Sequence, residues 1–306
     1  MIYEFALHPD AVNDPSFKHI VAGCGIQHGR LISRFPHEWV KKAIEACKIQ
    51  DDVKRKTIVE KIVSLRRDQK MVGFNRKYVY GKDWLENAED QYKIRPFQAI
   101  VSPLNPQGCA HVLSPQEIDE KTSLWDVQTQ RIVPRKAYDL ACCAKTLLGI
   151  SREILFIDPY FDPLKSRFLN TLSHMISFAY IFKEPRRLEL HAEYDYRKEQ
   201  RRETDWQEGC TSNLHSLIPE GSTMEVFRWE TRPAGDIPHA RYVLTEIGGI
   251  DYNYGLDEWE SDGQTTNVSL LGPSVYEQRW KEHQKGTAAY HLVDNFPVTG
   301  SKKNPA

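Results

Sequence analysis

The segment EILFIDPYF (153–161) is a continuous apolar run of strand length between two segments with helical periodicity. Runs of this kind are typical of strands that are buried on both faces of a sheet. From residue 131 onward the pattern predicts helices alternating with strands, then adjacent strands and a terminal helix, SVYEQRWKEHQKG (274–286). Strands joined by helical crossovers predict an α/β domain whose central sheet is covered by helices on both faces.

The chain of 306 residues is long enough for two domains, and its pattern changes near residue 130. Residues 1–130 combine a strand-like start with basic amphipathic helices, which predicts an additional α/β or mainly helical N-terminal region of unknown role. We assign residues 131–299 to the second domain. Residues 300–306, GSKKNPA, have the composition of a frayed terminus and predict a flexible tail.

Composition and charge argue against several classes of protein. The 41 basic and 42 acidic residues give a net charge of −1, so any site for a polyanion must be local. The N-terminus lacks the pattern of a secretory signal, and the longest apolar-rich stretch is too short to span a bilayer. The six cysteines show no CxxC pairing, which argues against a structural zinc site and a disulfide scaffold. We therefore expect a cytoplasmic protein without a membrane partner or a bound metal.

The stretch IPHARYVLTEIGGIDYNYGLD (237–257) contains the candidate site. His239 and Arg241 are two residues apart on a predicted strand, so their side chains project from the same face and can converge on one anion. Glu246 completes the spacing HxRxxxxE, and Gly248 and Gly249 predict a turn between two neighbouring strands. An imidazole beside a guanidinium favours a phosphate ligand.

This pattern resembles the signature of the phospholipase D superfamily, HxKxxxxD followed by a glycine-rich segment with hydroxyl and amide side chains. The segments ILFIDPYF and TNVSLLGPSVYEQRW are similar to a bacterial branch of uncharacterised members, often associated with mobile elements or antiviral defence. The resemblance covers roughly residues 135–290. It implies a phospholipase-D-like mixed sheet covered by helices on both faces.

By this resemblance His239 is the nucleophile that forms a phosphohistidine, Arg241 replaces the phosphate-clamping lysine, and Glu246 replaces the aspartate. Such a mechanism uses no cofactor and no metal, but a second histidine must protonate the leaving oxygen. Because the chain contains one such motif, the resemblance implies a homodimer that pairs two copies of His239. The residues expected to bind substrate are Tyr160, Thr266, Asn267 and Ser269.

We therefore expect a metal-independent phosphodiesterase, most simply a nuclease acting on DNA or RNA. Basic clusters such as RKEQRR (197–202), with Trp206 nearby, offer contacts to a nucleic-acid backbone. The altered motif leaves open a second function, a non-catalytic scaffold or binding protein with a decayed phosphodiesterase pocket and protein partners at residues 1–130. A third is a metal-dependent hydrolase around Asp158 and Glu193.

Overall fold

The computed structural model describes residues 1–119, 121–194, 203–232, 240–284, 286 and 288–303. The chain forms two compact units, Met1–Thr129 and Gln130–Ala306. Each unit is built around its own sheet. None of the described helices combines the length and the apolar character that a membrane crossing requires.

The first unit contains a parallel sheet with the strand order β3–β2–β1–β4–β5. Its strands are β1 (Tyr3–Leu7), β2 (Arg30–Ser33), β3 (Met71–Val72), β4 (Ala99–Val101) and β5 (Val112–Leu113). Its helices are α1 (Phe17–Ala22), α2 (Trp39–Ala46), α3 (Asp52–Arg67) and α4 (Trp84–Ile94). The N-terminal region is therefore α/β, which is one of the two possibilities that the sequence predicted.

Helix α4 begins at a side-chain cap and buries one face. The Asp83 carboxylate accepts hydrogen bonds from the amides of Leu85 and Glu86, which have no partner within the helix. Trp84, Leu85 and Ala88 pack into an apolar cluster with strand residues. The next residue, Glu89, is only half-buried.

The second unit contains a mixed sheet with the strand order β13–β9–β8–β7–β10–β11–β12–β6. Its strands are β6 (Gln130–Pro134), β7 (Glu153–Ile157), β8 (Arg187–Glu193), β9 (Thr223–Glu230), β10 (Tyr242–Thr245), β11 (Gly248–Tyr252), β12 (Thr265–Leu270) and β13 (His291–Thr299). Its helices are α5 (Ala137–Ile150), α6 (Ser166–Ala179), α7 (Glu203–His215) and α8 (Pro273–Glu282). Strands β7, β8 and β9 run parallel, and the other neighbouring strands are antiparallel.

Helices cover both faces of this mixed sheet. Tyr252 donates a hydrogen bond to the carbonyl oxygen of Leu140 in α5, 3.0 Å away. Tyr242 lies opposite Asp251, so it projects from the other face, where it packs with residues of α8. Strand β7 lies between β8 and β10 and is buried on both faces, as its continuous apolar run predicts. The predicted α/β class is confirmed.

The turn between β10 and β11 differs from the prediction. Thr245 pairs with Gly248, so the turn residues are Glu246 and Ile247, and the two glycines begin β11. A Cβ atom at Gly249 would lie 2.6 Å from Leu244 Cδ2 and 2.8 Å from a methyl group of Leu271. The glycine is needed for side-chain packing against the sheet rather than for the turn.

Part of the predicted flexible tail is hydrogen-bonded. The amide of Gly300 donates to the carbonyl oxygen of Ser222 at 2.9 Å, and the amide of Lys302 donates to that of Ile218 at 3.0 Å. The amide of Glu220 donates to the carbonyl oxygen of Lys302 at 2.9 Å. The polar composition of the tail indicates that it buries little apolar surface. Composition does not predict hydrogen bonds between backbone groups. Residues 304–306 lie outside the described residues.

Candidate functional site

The candidate site lies where β7 ends and β10 begins. Ile157 pairs with Tyr242 across these antiparallel strands, so Asp158 and Arg241 come to the same edge of the sheet. The alternation of side chains along a strand also places them on the same face. This is the carboxyl edge of the parallel strands, where ligands tend to bind in α/β sheets.

The side chain of Arg241 is half-buried at this edge. Its guanidinium carbon lies 4.6 Å from the centre of the Tyr160 ring, and Nη1 donates to the carbonyl oxygen of Asn253 at 3.2 Å. Its Nε is buried and has no hydrogen-bond partner among the described residues. Among the described residues the guanidinium donates a hydrogen bond through Nη1, and the positive charge of this partly exposed side chain attracts an anion. The arrangement therefore favours an anion.

Asp158 holds together the two loops that border this edge. Its side chain is buried, with Oδ1 accepting from the amide of Tyr160 at 3.0 Å and Oδ2 accepting from the amide of Leu256 at 2.9 Å. Burial raises the pKa of the carboxyl to about 6, although these hydrogen bonds oppose the shift. Because both oxygens accept from backbone amides, Asp158 supports the position of Tyr160 beside Arg241.

The loop after β11 contains a buried ion pair. Asp257 Oδ1 lies 2.8 Å from Arg135 Nη2, and both side chains are less than a tenth exposed. Asp257 Oδ2 lies 3.5 Å from Nε of Arg167. In the same loop Gly255 has a φ of +113°, and a Cβ there would lie 2.6 Å from Asp257 Oδ1 and 3.3 Å from Asp158 Oδ2. Glycine lets both carboxylates approach the backbone closely.

Gly255→Ala is expected to lower the free energy of unfolding by about 3 kcal/mol or more, because backbone strain and a steric clash add together. Gly263→Ala is the matched control, since Gly263 has a φ of +87° but no atom lies within 4 Å of the point that a Cβ would occupy there. We expect that control to cost about 1–2 kcal/mol from strain alone. Urea unfolding of both variants measures the difference. Equal losses would show that the Gly255 loop relaxes to accept a methyl group.

Glu246 lies at the opposite end of β10 from Arg241. Its Oε1 accepts from the amide of Arg152 at 2.7 Å, and its Oε2 accepts from the amide of Glu153 at 3.0 Å. The structure does not bring Glu246 and Arg241 together. The carboxylate instead links the turn after β10 to the start of β7.

The three candidate residues on β12 are separated from β10 by β11. Thr266 is buried, Asn267 is exposed, and Ser269 pairs with Asp251 of β11. The carbonyl oxygen of Asn267 accepts from the amide of Asn253 at 3.2 Å, while Asn253 contacts Arg241 through its own carbonyl oxygen. Among the described residues, β12 is therefore connected to Arg241 by hydrogen bonds through the backbone of Asn253.

Of the predicted site residues, the structure brings Tyr160 and Arg241 into contact. His239 lies outside the described residues, as does the basic cluster 197–202. Among the described residues, Asp158 and Glu193 do not belong to a group of three potential metal ligands. The pairing of Arg135 with Asp257 was not predictable from the sequence, because these residues are 122 positions apart and no spacing rule relates them.

Comparisons with known proteins do not assign the chain to a family. No family model matches it, and no curated protein matches it. Among solved structures, it is similar to TrmBL2, an archaeal chromatin protein reported to show a novel mode of DNA binding. The match has 9% sequence identity and a TM-score of 0.28 and covers 57% of each chain. A TM-score this low carries no argument about fold or function.

Proposed function

We propose that the second unit is a phosphodiesterase of the phospholipase D type, acting on nucleic acid, in which Arg241 binds the phosphate group. The observation that carries this proposal is the half-buried Arg241 guanidinium at the carboxyl edge of the sheet, beside the ring of Tyr160. A guanidinium can donate two parallel hydrogen bonds to phosphate oxygens. The partly exposed ring of Tyr160 offers a surface for a base or sugar beside the phosphate.

The proposed reaction has two displacements at phosphorus. An imidazole nitrogen of His239 attacks, a P–N bond forms, and the P–O bond to the leaving oxygen breaks while a second histidine protonates that oxygen. Water then attacks phosphorus, the P–N bond breaks, and the second histidine takes the proton from the water. Arg241 stabilises negative charge on the non-bridging oxygens throughout.

Two buried histidines of the same unit are poorly suited to the role of the second histidine. His191 Nε2 contacts Glu189 and its Nδ1 accepts from the indole of Trp229, so both ring nitrogens are engaged. Burial lowers the pKa of His191, and it lowers that of His283 to about 3. His191 pairs with Ile157, so its side chain projects from the face opposite to Arg241. These features argue against His191 and His283 as the proton donor, and in a homodimer the second copy of His239 would take that role.

Cleavage of a labelled oligonucleotide in the presence of a chelator tests the proposal. Arg241→Ala is expected to lower kcat/KM by about 10²–10³-fold, the usual loss for one preorganised donor, and Arg241→Lys is expected to lose less. Arg131→Ala removes the same charge from an exposed position on β6 and is the matched control. The proposal would be contradicted if the wild-type protein did not cleave the oligonucleotide in the presence of chelator. Equal losses in the Arg241 and Arg131 variants would also contradict it.

A non-catalytic phosphate-binding protein is the second candidate. Glu246 is engaged by backbone amides at the far end of β10, so it does not contribute a carboxylate beside Arg241. This candidate uses the same Arg241 site but predicts binding of phosphodiesters without turnover. Fluorescence anisotropy with a labelled oligonucleotide, measured alongside the cleavage assay, separates the two functions.

A further inference from the structure

The first unit contains a cluster of three potential metal ligands, Glu89, Cys109 and His111. Each side chain offers one ligand atom, and these atoms lie within 4.8 Å of one another. Glu89 belongs to α4, whereas Cys109 and His111 belong to the loop before β5. All three side chains are half-buried. The cluster is independent of the candidate phosphate site, which is formed by residues of the second unit.

The loop that carries two of these ligands is held by its own hydrogen bonds. Asn105 Oδ1 accepts from the amide of Cys109 at 2.9 Å, and its Nδ2 donates to the carbonyl oxygens of Cys109 at 3.0 Å and Val112 at 3.3 Å. The amide of Ile100 in β4 donates to the carbonyl oxygen of His111 at 2.9 Å. Because the backbone is already ordered, little conformational entropy is lost when the loop binds a ligand.

The imidazole of His111 is oriented by a second contact with α4. Its ring stacks on that of Tyr92, with the ring centres 3.9 Å apart and an angle of 9° between the planes. Tyr92 follows Glu89 by three positions in the helix, so the two side chains lie on the same side of α4. His111 Nε2 is buried and has no hydrogen-bond partner among the described residues. Buried polar atoms without a partner are uncommon and call for an explanation.

We propose that Glu89, Cys109 and His111 bind a divalent transition-metal ion, for which zinc is the best match. A thiolate, an imidazole and a carboxylate are ligands of zinc, whereas magnesium and calcium prefer oxygen ligands throughout. Three protein ligands leave one position of a tetrahedral ion for water or another ligand. On binding, the Cys109 thiol releases its proton to solvent and its sulfur bonds to the ion.

The ligands of this cluster do not follow a spacing that indicates a metal site in the sequence. The expected signature of a structural zinc site was a pair of cysteines with CxxC spacing, and this chain has none. Here a helix provides one ligand and a loop provides two, with β4 between them in the chain. The ion would link α4 to the edge strand β5, and its removal is expected to destabilise that link.

The first test uses unmodified wild-type protein that has been stripped of metal with a chelator. Titration with Zn²⁺, followed by calorimetry, is expected to show about one ion per chain and release of protons. Titration with Co²⁺ is expected to produce a thiolate-to-cobalt charge-transfer band and the visible absorption of a tetrahedral ion. Absence of uptake, or uptake of Mg²⁺ or Ca²⁺ in preference to Zn²⁺, would overturn the proposal.

Variants identify the ligands. Cys109→Ser and His111→Gln are expected to weaken zinc binding by more than about 100-fold, and Asn105→Ala by about 10–100-fold, because it only positions the loop. Cys142→Ser is the matched control, since Cys142 is another half-buried free cysteine, and it should bind as wild type does. A charge-transfer band that persists in Cys109→Ser overturns the assignment. The wild-type titration remains decisive if a variant fails to fold.

Discussion

Replacement of His239 by alanine is expected to reduce phosphodiester cleavage by at least about 10⁴-fold, because it removes the proposed nucleophile. The loss should exceed that of Arg241→Ala, which removes a charge-stabilising group but leaves the route to the phosphohistidine. Single-turnover cleavage of a labelled oligonucleotide in chelator measures the effect. Labelled phosphate bound to protein, stable to base and labile to acid, should accumulate in wild type and be absent from the variant.

An exposed histidine of the same unit provides the control for this loss. His291→Ala changes β13 at an exposed position and should leave cleavage unchanged. Wild-type levels of cleavage in His239→Ala, with chelator present, would exclude His239 as the nucleophile. Binding of the oligonucleotide by a wild-type protein that shows no turnover would favour the non-catalytic function instead.

Dimers that contain one wild-type and one His239→Ala chain test the proposed homodimer. If two copies of His239 form each site, a dimer with one altered chain cannot complete the reaction. When wild-type and His239→Ala chains are refolded together, activity should fall as the square of the wild-type fraction. A linear fall would show that each chain works alone, and the second proton donor would then have to come from within the chain.

Arg135→Met is expected to destabilise the second unit by about 3–5 kcal/mol, because it leaves the Asp257 carboxylate buried without its closest partner. Arg167 remains, but its Nε lies farther from Asp257, at 3.5 Å, than the 2.8 Å of Arg135 Nη2. Urea unfolding followed by hydrogen exchange measures the loss and locates it in the second unit. We also expect weaker oligonucleotide binding, since Asp257 and Asp158 border the same loop at Gly255.

The neighbouring lysine is a matched control for this ion pair. Lys136 Nζ lies 2.7 Å from Asp262, but the two side chains are 40% and 94% exposed. Lys136→Met should therefore cost less than about 1 kcal/mol, because water screens an exposed pair. Similar losses in both variants would show that solvent reaches Asp257. Replacing Arg135 and Asp257 together with apolar residues should recover most of the stability.

Local patterns in the sequence predicted the framework of the second unit. The apolar run in β7 reflects burial on both sheet faces, and the alternation of strands with helices predicted the α/β class. The common face of His239 and Arg241 stays a prediction, because His239 lies outside the described residues and β10 begins at Tyr242. The contact between Arg241 and Tyr160 follows from the antiparallel pairing of two strands that are distant in the chain.

The sequence by itself determined where the helices and strands of the second unit form, because the spacing of apolar residues along the chain reflects which face of each element is buried. Only the tertiary structure decided which polar groups meet. It directed Glu246 to the amides at the start of β7, paired Arg135 with Asp257, and brought Glu89 to Cys109 and His111. These contacts depend on strand order and helix packing, because residues far apart in sequence come within reach of one another only when the chain folds.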